Sequence, residues 1–240
     1  MEEKLCALCR KPSKMTYEHI PPQCAFNNKL IFVQRYEHFG DETSQLYGKK
    51  MRSNRGFGKH CLCASCNSST GNWYVKDFCK FTEQALEILN NCKTIPFVRG
   101  VYQIKPQTVL KQILMMFVAA DSSGVLISKA GVAHYLLNRE SAAFPNKIKI
   151  FLYSNQSTHK RMLGYCFVGD LVTGRVSQWS ELNFKPFGYF LCYDSEPPNE
   201  AMIDITTWNE QTFNQIKVVE MTTALLSVSS MIIGQYDNIK

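Results

Sequence analysis

The pattern of apolar and polar positions changes character along the chain. Residues 1–75 contain few long periodic segments and are rich in Cys, Gly, Asn and basic residues. Apolar residues then recur at helical spacing, which predicts a helix over about 75–91. Pro106 stands where a first-turn proline would, and a mostly buried helix is predicted to continue from it over 109–120. A shorter helix is predicted over 128–139.

Short alternating segments bounded by turn residues predict strands in most of the remaining chain. The predicted strands are 95–104, 147–153, 161–168, 174–182, 187–193 and 203–208. A turn with Gly and Asp at 169–173 joins two of them and predicts a hairpin, whereas 217–231 fits either a strand pair or a helix. The larger, C-terminal part is therefore predicted to be α+β with a mostly antiparallel sheet.

The composition is that of an ordinary globular protein. The chain has 240 residues, 45% hydrophobic and 20% charged, which excludes low-complexity and globally disordered classes. Its most apolar window, 109–120, is too short to cross a bilayer, so no membrane association is predicted. The N-terminus begins with acidic residues and no apolar run follows, so a cytoplasmic location is predicted.

Most of the excess positive charge lies in the first third of the chain. Residues 1–80 hold 13 Lys and Arg against 7 Asp and Glu, a net of +6 of the chain's +7. Residues 47–60 contain no acid, and the basic residues of this stretch are Lys49, Lys50, Arg52, Arg55 and Lys59. Concentrated positive charge favours a nucleic-acid partner, although a solvated basic loop has the same composition.

Two Cys-x-x-Cys pairs occur in the same basic region. Cys6 and Cys9 form the first pair and Cys63 and Cys66 the second. Two intervening residues let both sulfurs of a pair reach one tetrahedral zinc ion, and four cysteine ligands leave no open position. The pairs therefore predict one structural zinc site that joins the start of the chain to residues 63–66.

The other cysteines have weaker signals. Cys61 is an alternative ligand to Cys63, with a less suitable spacing to Cys66, and Cys24 and His60 are spare candidates. With no secretion signal, metal binding is favoured over disulfides. The cysteines that stand singly in apolar surroundings are interpreted as buried apolar side chains: Cys79, Cys92, Cys166 and Cys192.

A further motif lies between the two pairs. Residues 17–22 read Tyr-Glu-His-Ile-Pro-Pro, and Asn67 directly follows the last cysteine. In this order the motifs of residues 4–75 resemble the HNH nucleases, a family with a zinc-stapled ββα-metal fold. The resemblance implies an HNH-like module over 1–80, followed by an α+β domain over 81–240 with a role in sensing, dimerisation or substrate recognition.

The resemblance also implies a reaction, the metal-dependent hydrolysis of DNA phosphodiester bonds. His19 matches the family's general base, and Glu18 and Asn67 match the ligands of a catalytic Mg²⁺ or Mn²⁺. The zinc would hold these residues together, and the basic stretch would contact phosphates beside the scissile bond. RNA stays an alternative substrate, and a homodimer would supply the two sites needed to cut both strands.

The chain departs from the family pattern at two glycines. Gly58 stands where the family has its middle Asn, and Gly71 stands where many members have a further His ligand. A catalytically silent, zinc-stabilised nucleic-acid-binding module is therefore the alternative, and a regulatory protein whose active part is 81–240 is a third. In these alternatives His19 is a structural residue and Asn67 an N-cap of the helix that follows.

Overall fold

The chain is α+β, and in the described ranges all paired strands are antiparallel. The computed structural model describes residues 3–92, 96–169, 174, 176–228 and 236–238. The N-terminal part contains three small two-stranded sheets. Their pairs are β1 (Lys4–Leu5) with β2 (Pro12–Ser13), β3 (Met15–His19) with β6 (Gly58–Cys63), and β4 (Ile31–Gln34) with β5 (Lys50–Ser53).

An almost continuous helical segment follows β6. Helix α1 (Ala64–Thr70) continues through one π-helical turn (Gly71–Val75) into α2 (Lys76–Asn91), which confirms the helix predicted over 75–91. Cys63 is the N-cap of α1, and its sulfur accepts a hydrogen bond from the Cys66 amide. The interpretation of Asn67 as an N-cap is therefore wrong, because Asn67 lies within the helix.

The next helix lies at the centre of the molecule. After β7 (Phe97–Ile104), α3 (Pro106–Ala120) begins with the predicted proline and is buried along its whole length. Lys111 on this helix is fully buried, and its ammonium donates to the carbonyls of Tyr135, Asn138 and Ser141 at 2.5 to 3.0 Å. These contacts supply the hydrogen bonds that a buried ammonium group requires.

The helix predicted over 128–139 is wrong in its bounds. Helix α4 (Val125–Ser128) ends where the predicted helix begins, and α5 (Val132–Leu137) lies inside the predicted range. Lys129 is extended, and Gly131, the N-cap of α5, has a φ of 86°, a left-handed conformation that glycine adopts without strain, so no single helix spans these residues. Local periodicity alone therefore overstated the length of the helix.

The C-terminal part contains the predicted antiparallel sheet, which has five strands. Its strands are β8 (Ile148–Ser154), β9 (Arg161–Gly169), β10 (Val176–Phe184), β11 (Phe187–Tyr193) and β12 (Ile203–Asp204), in the spatial order β12-β8-β11-β10-β9. The predicted hairpin of β9 and β10 is confirmed, while residues 170–173 of its turn lie outside the described residues.

The last predicted segments differ from expectation in detail. Only two residues of 203–208 are a strand, because a 3₁₀ helix (Thr206–Glu210) then carries Trp208 onto the core ring of Phe81. Residues 217–231 form strands as far as they are described: β13 (Lys217–Ala224) pairs with β7, and β14 (Leu226–Ser227) with β15 (Asp237–Asn238). Residues 229–231 lie outside the described residues.

One buried apolar cluster connects the two parts of the chain. It contains Leu8 and Ile20 from the N-terminal part together with Leu114 of α3 and Leu152 of the large sheet. Tyr74 contributes to the same junction, since it is fully buried and its hydroxyl donates to the Leu136 carbonyl at 2.8 Å. Tyr74 is therefore a core residue of this junction. The domain boundary at residue 80 stays a prediction.

No helix among the described residues is long and apolar enough to cross a membrane.

Candidate active site and cysteine cluster

The four cysteines of the two pairs meet at one point. The sulfurs of Cys6, Cys9, Cys63 and Cys66 all lie within 4.8 Å of one another, a separation at which one metal ion such as zinc can bind all four. The first pair is in the β1–β2 hairpin, and the second spans the junction of β6 and α1. Cys61 is not part of the cluster.

The electrostatics of the cluster fit a cation. Burial raises the pKa of the Cys6 thiol, but hydrogen bonds from backbone amides, including that of Cys63 at 3.3 Å, bring it down to about 7. Burial raises the pKa of Cys66, and the neighbouring sulfurs raise it further. A divalent cation bound by the four sulfurs would favour their thiolate forms.

The spare ligand candidates have other partners. Cys24 forms a disulfide with Cys79, which joins the segment after β3 to α2. The interpretation of Cys79 as a lone buried thiol is therefore wrong, as is the preference for metal binding over disulfides at Cys24. His60 is exposed, and its Nδ1 lies 3.4 Å from the Met15 carbonyl oxygen.

Glu18, His19 and Asn67 line one cavity of about 370 Å³ beside the cysteine cluster. Glu18 and His19 end β3, and Asn67 lies in the first turns of α1. The cysteine cluster fixes the junction of β6 and α1, and β6 pairs with β3 along its length, so the three residues converge although 48 positions separate His19 from Asn67. Cys24 and Gly71 also line the cavity.

Gly58 and Gly71, the two positions at which the sequence departs from the HNH pattern, have different surroundings. At Gly58, a Cβ would lie 2.2 Å from the Glu18 carbonyl oxygen, so β3 and β6 could not pair here with any larger residue. At Gly71, a Cβ would have no atom within 4 Å. The cavity is thus open on the Gly71 side, where a further ligand would otherwise stand.

The surroundings of His19 favour the neutral form of its imidazole, the form that can act as a base. Burial lowers the pKa of its imidazole, and a hydrogen bond to the backbone of Arg55 acts in the opposite direction. The Gln23 amide nitrogen lies 3.1 Å from His19 Nε2. In the tautomer in which this amide donates, Nε2 is the unprotonated nitrogen of a neutral imidazole, and its one lone pair accepts from Gln23.

The amide of Asn67 is oriented by β3. Its Nδ2 donates to Thr16 Oγ1 at 2.9 Å and to the Tyr17 carbonyl at 3.2 Å, and Thr16 Oγ1 in turn donates to the Leu62 carbonyl. Both amide protons are therefore used, and Oδ1 is left as an oxygen donor on a residue that lines the cavity.

Glu18 is a half-buried acid of the cavity. Burial raises its pKa from the usual 4.5 to about 7. Without a cation, this carboxyl is costly to ionise, and no hydrogen bond or salt bridge of the described residues involves its side chain. A divalent cation would favour the ionised form. Glu18 and the oxygen of Asn67 together are the hard ligands that Mg²⁺ or Mn²⁺ prefers.

Glu18 is expected to make stability fall with rising pH when the cavity holds no divalent cation. Its raised folded-state pKa means that the folded protein binds more protons than the unfolded chain between pH 4.5 and about 7. The zinc-loaded, Mg²⁺-free protein should therefore lose about 3 kcal/mol of unfolding free energy over this window relative to Glu18→Gln. Urea unfolding at pH 5 to 8 measures the difference, and parallel profiles would contradict it.

A residue that the sequence did not indicate fixes the loops around the cavity. Asn27 is buried, and its Nδ2 donates to the carbonyls of Pro21 and Phe57 at 2.6 and 2.7 Å, while its Oδ1 accepts from the Phe57 amide at 2.8 Å. The segments after β3 and before β6 are thereby tied together. Asn27 thus fixes the position of this loop.

The basic residues divide into two groups. Lys49, Lys50, Arg52 and Arg55 are exposed, and no salt bridge among the described residues involves them. Lys59 is half-buried, and its ammonium donates to the Ala120 carbonyl at 3.2 Å and to Ser122 Oγ at 2.6 Å. Lys59 thus also links β6 to the end of α3.

No protein-family model, curated protein or solved structure matches this chain.

Proposed function

We propose that this protein is a metal-dependent endonuclease of the HNH type that hydrolyses DNA phosphodiester bonds. The observation that carries the proposal is that Glu18, His19 and Asn67, distant in sequence, line the same cavity. The residues have complementary chemistry, since a neutral imidazole lies beside a carboxyl and an amide oxygen. Such a combination suits the deprotonation of water next to a bound cation.

In this mechanism the protein's own groups prepare the attack. A water molecule in the cavity displaces the Gln23 amide from His19 Nε2 and gives its proton to this nitrogen, and the hydrogen bond to the Arg55 backbone holds the ring as its charge develops. The water oxygen forms a bond to phosphorus, and the bond to the leaving sugar oxygen breaks. Glu18 and Asn67 Oδ1 would hold one Mg²⁺ or Mn²⁺, which supplies stabilisation of the charge on the phosphate.

The cysteine cluster has a structural role in this proposal. A zinc ion with four sulfur ligands has no open position for water or substrate, so it does not take part in the chemistry. It fixes Cys63, the N-cap of α1, against the β1–β2 hairpin. Since β3, β6 and α1 meet there, the zinc fixes the relative positions of the cavity residues.

The first test is the incubation of supercoiled plasmid with the zinc-loaded protein at low salt. Nicking or linearisation is expected with Mg²⁺ or Mn²⁺ and not with zinc alone, because the open cavity and the closed cysteine cluster bind different ions. The matched control is Glu18→Gln, which retains the side-chain volume and loses the charge. Plasmid that stays intact although the protein binds it would instead support a nucleic-acid-binding module without catalysis.

A further inference from the structure

Residues 28–55 form an extension that we call the arm. Its strands β4 and β5 pair with each other, and in the described part of the chain neither pairs with a third strand. The arm is thus a two-stranded antiparallel ribbon. A short 3₁₀ helix (Tyr36–His38) lies at the outer end of β4, and His38 packs inside the arm with its Nδ1 3.2 Å from the Lys49 carbonyl oxygen.

The base of the arm is fixed beside the candidate active site. Asn27 precedes the arm and Phe57 follows it, and the three hydrogen bonds of the Asn27 side chain join both ends. At Gly56, which has a φ of 77°, a Cβ would lie 2.1 Å from the Asn27 carbonyl oxygen. Arg55, the last residue of the arm, hydrogen-bonds through its backbone to His19. The arm therefore ends in contact with the proposed catalytic imidazole, and Asn27 ties its start to Phe57, just beyond that end.

The surface of the ribbon combines aromatic and cationic groups. Phe32 lies opposite Arg52 in the register, so their side chains share one face, and Phe32 is 65% exposed. Lys50 lies opposite Gln34 on the same face, two residues from Arg52. The arm's carboxylates are confined to residues 37–42 at the outer end. The ribbon next to the cavity is therefore positively charged and without acids.

We propose that the arm lies in the major groove of a B-form DNA duplex, with Phe32 and Arg52 facing the bases and the scissile phosphate beside its base. This inference rests on the proposed function and names its substrate class. The major groove of B-DNA, about 12 Å wide, admits a two-stranded ribbon. The major groove of A-form RNA is too narrow and deep for one. The charge of the ribbon is complementary to the phosphates on both sides of the groove.

The test measures binding without cleavage. The zinc-loaded, full-length protein is titrated, in buffer without Mg²⁺ or Mn²⁺, against a fluorescent DNA duplex, the RNA duplex of the same sequence and the single-stranded DNA. The DNA duplex should bind tightest. Methyl green, which occupies the major groove, should displace the protein, and netropsin, which occupies the minor groove, should not. Equal affinity for RNA or single strands, or displacement by netropsin alone, would overturn the proposal.

A double variant tests the residues. Phe32→Ala combined with Arg52→Ala should weaken duplex binding about tenfold or more and reduce its dependence on salt. The matched control is Phe97→Ala combined with Arg99→Ala, an exposed aromatic and arginine on one face of the ribbon formed by β7 and β13. There Arg99 already pairs with Glu220. Equal effects of the two double variants would contradict the assignment.

The outcomes separate the two proposals. If the wild type cleaves plasmid and the arm variant binds the duplex as tightly as the wild type, the nuclease proposal stands and the proposed role of the arm is rejected. If duplex binding depends on the arm but no divalent cation supports cleavage, the proposed role of the arm stands and the nuclease proposal is rejected. Phe32 and Arg52 are both exposed, so their replacement should not disturb the fold. Zinc content and circular dichroism of the variant verify this. Arg52→Gln, which retains a long polar side chain, repeats the measurement if the double variant is misfolded.

Discussion

Replacement of His19 by alanine is expected to lower plasmid cleavage at least about 100-fold while DNA affinity stays within a factor of about two. Among the described side chains that line the cavity, the imidazole of His19 is the neutral nitrogen base, because burial lowers its pKa. It carries no charge in the resting protein, so its loss removes little attraction to phosphate. Initial rates of nicking and the duplex binding constant measure the two effects.

His60→Ala is the matched control for this variant. Both imidazoles contact the ring of Tyr17 edge-on, with centroid distances of 4.9 Å for His19 and 5.2 Å for His60. Only His19 lines the cavity. His60→Ala should therefore cleave at the wild-type rate. A similar loss in both variants would show that packing on Tyr17, and not proton transfer, explains the effect.

Replacement of Cys9 by serine is expected to release the zinc and to destabilise the N-terminal part by about 4 kcal/mol or more. Cys9 is the least buried ligand, so the substitution perturbs packing least while removing one of four sulfurs. The cavity residues lose their common support, and cleavage should fall together with zinc content. Zinc per chain by atomic absorption, and the midpoint of thermal unfolding, give the result.

Cys166→Ser is the control for the zinc variant. Cys166 is also a partly buried free thiol, but it lies on β9 in the large sheet and outside the cluster. It should retain one zinc per chain and nearly wild-type stability. Stoichiometric zinc in Cys9→Ser, with an unchanged midpoint, would rule out Cys9 as a ligand.

Hydrophobic periodicity correctly predicted the elements in which the burial of the side chains follows a simple pattern along the sequence. The apolar run that becomes α3 is buried on all sides, and the alternation at 148–154 matches a strand of the large sheet. The prediction failed where a single residue overrides the pattern. Gly131 adopts a left-handed conformation between α4 and α5, and Trp208 is drawn onto the core by a 3₁₀ turn that alternation cannot distinguish from a strand.

Short sequence motifs predicted the part of the candidate site that consists of the cysteine pairs and the residues around His19. The spacing of the cysteine pairs led to the four residues that the structure brings together, and the motif around His19 led to residues of one cavity. Asn27 could not be found in this way. Its partners, Pro21 and Phe57, are 6 and 30 residues away, and an Asn in a polar loop has no distinguishing local pattern.

The same reason applies to the disulfide. Cys24 and Cys79 are separated by 55 residues and belong to different elements, so no spacing rule joins them. Cys79 lies at a buried position of α2, which is also where an unpaired apolar cysteine would be expected. Only the packing of the loop after β3 against α2 brings the two sulfurs together.

This pairing gives the chain a closed covalent ring. The bond between Cys24 and Cys79 encloses the arm, β6, α1 and the second cysteine pair. A protease that cuts the exposed arm once therefore opens the ring without releasing either piece, and the nicked molecule migrates as a single species until a thiol reductant is added. The arm, which is the proposed DNA-contacting element, can thus be cut while both of its ends remain attached to the same body.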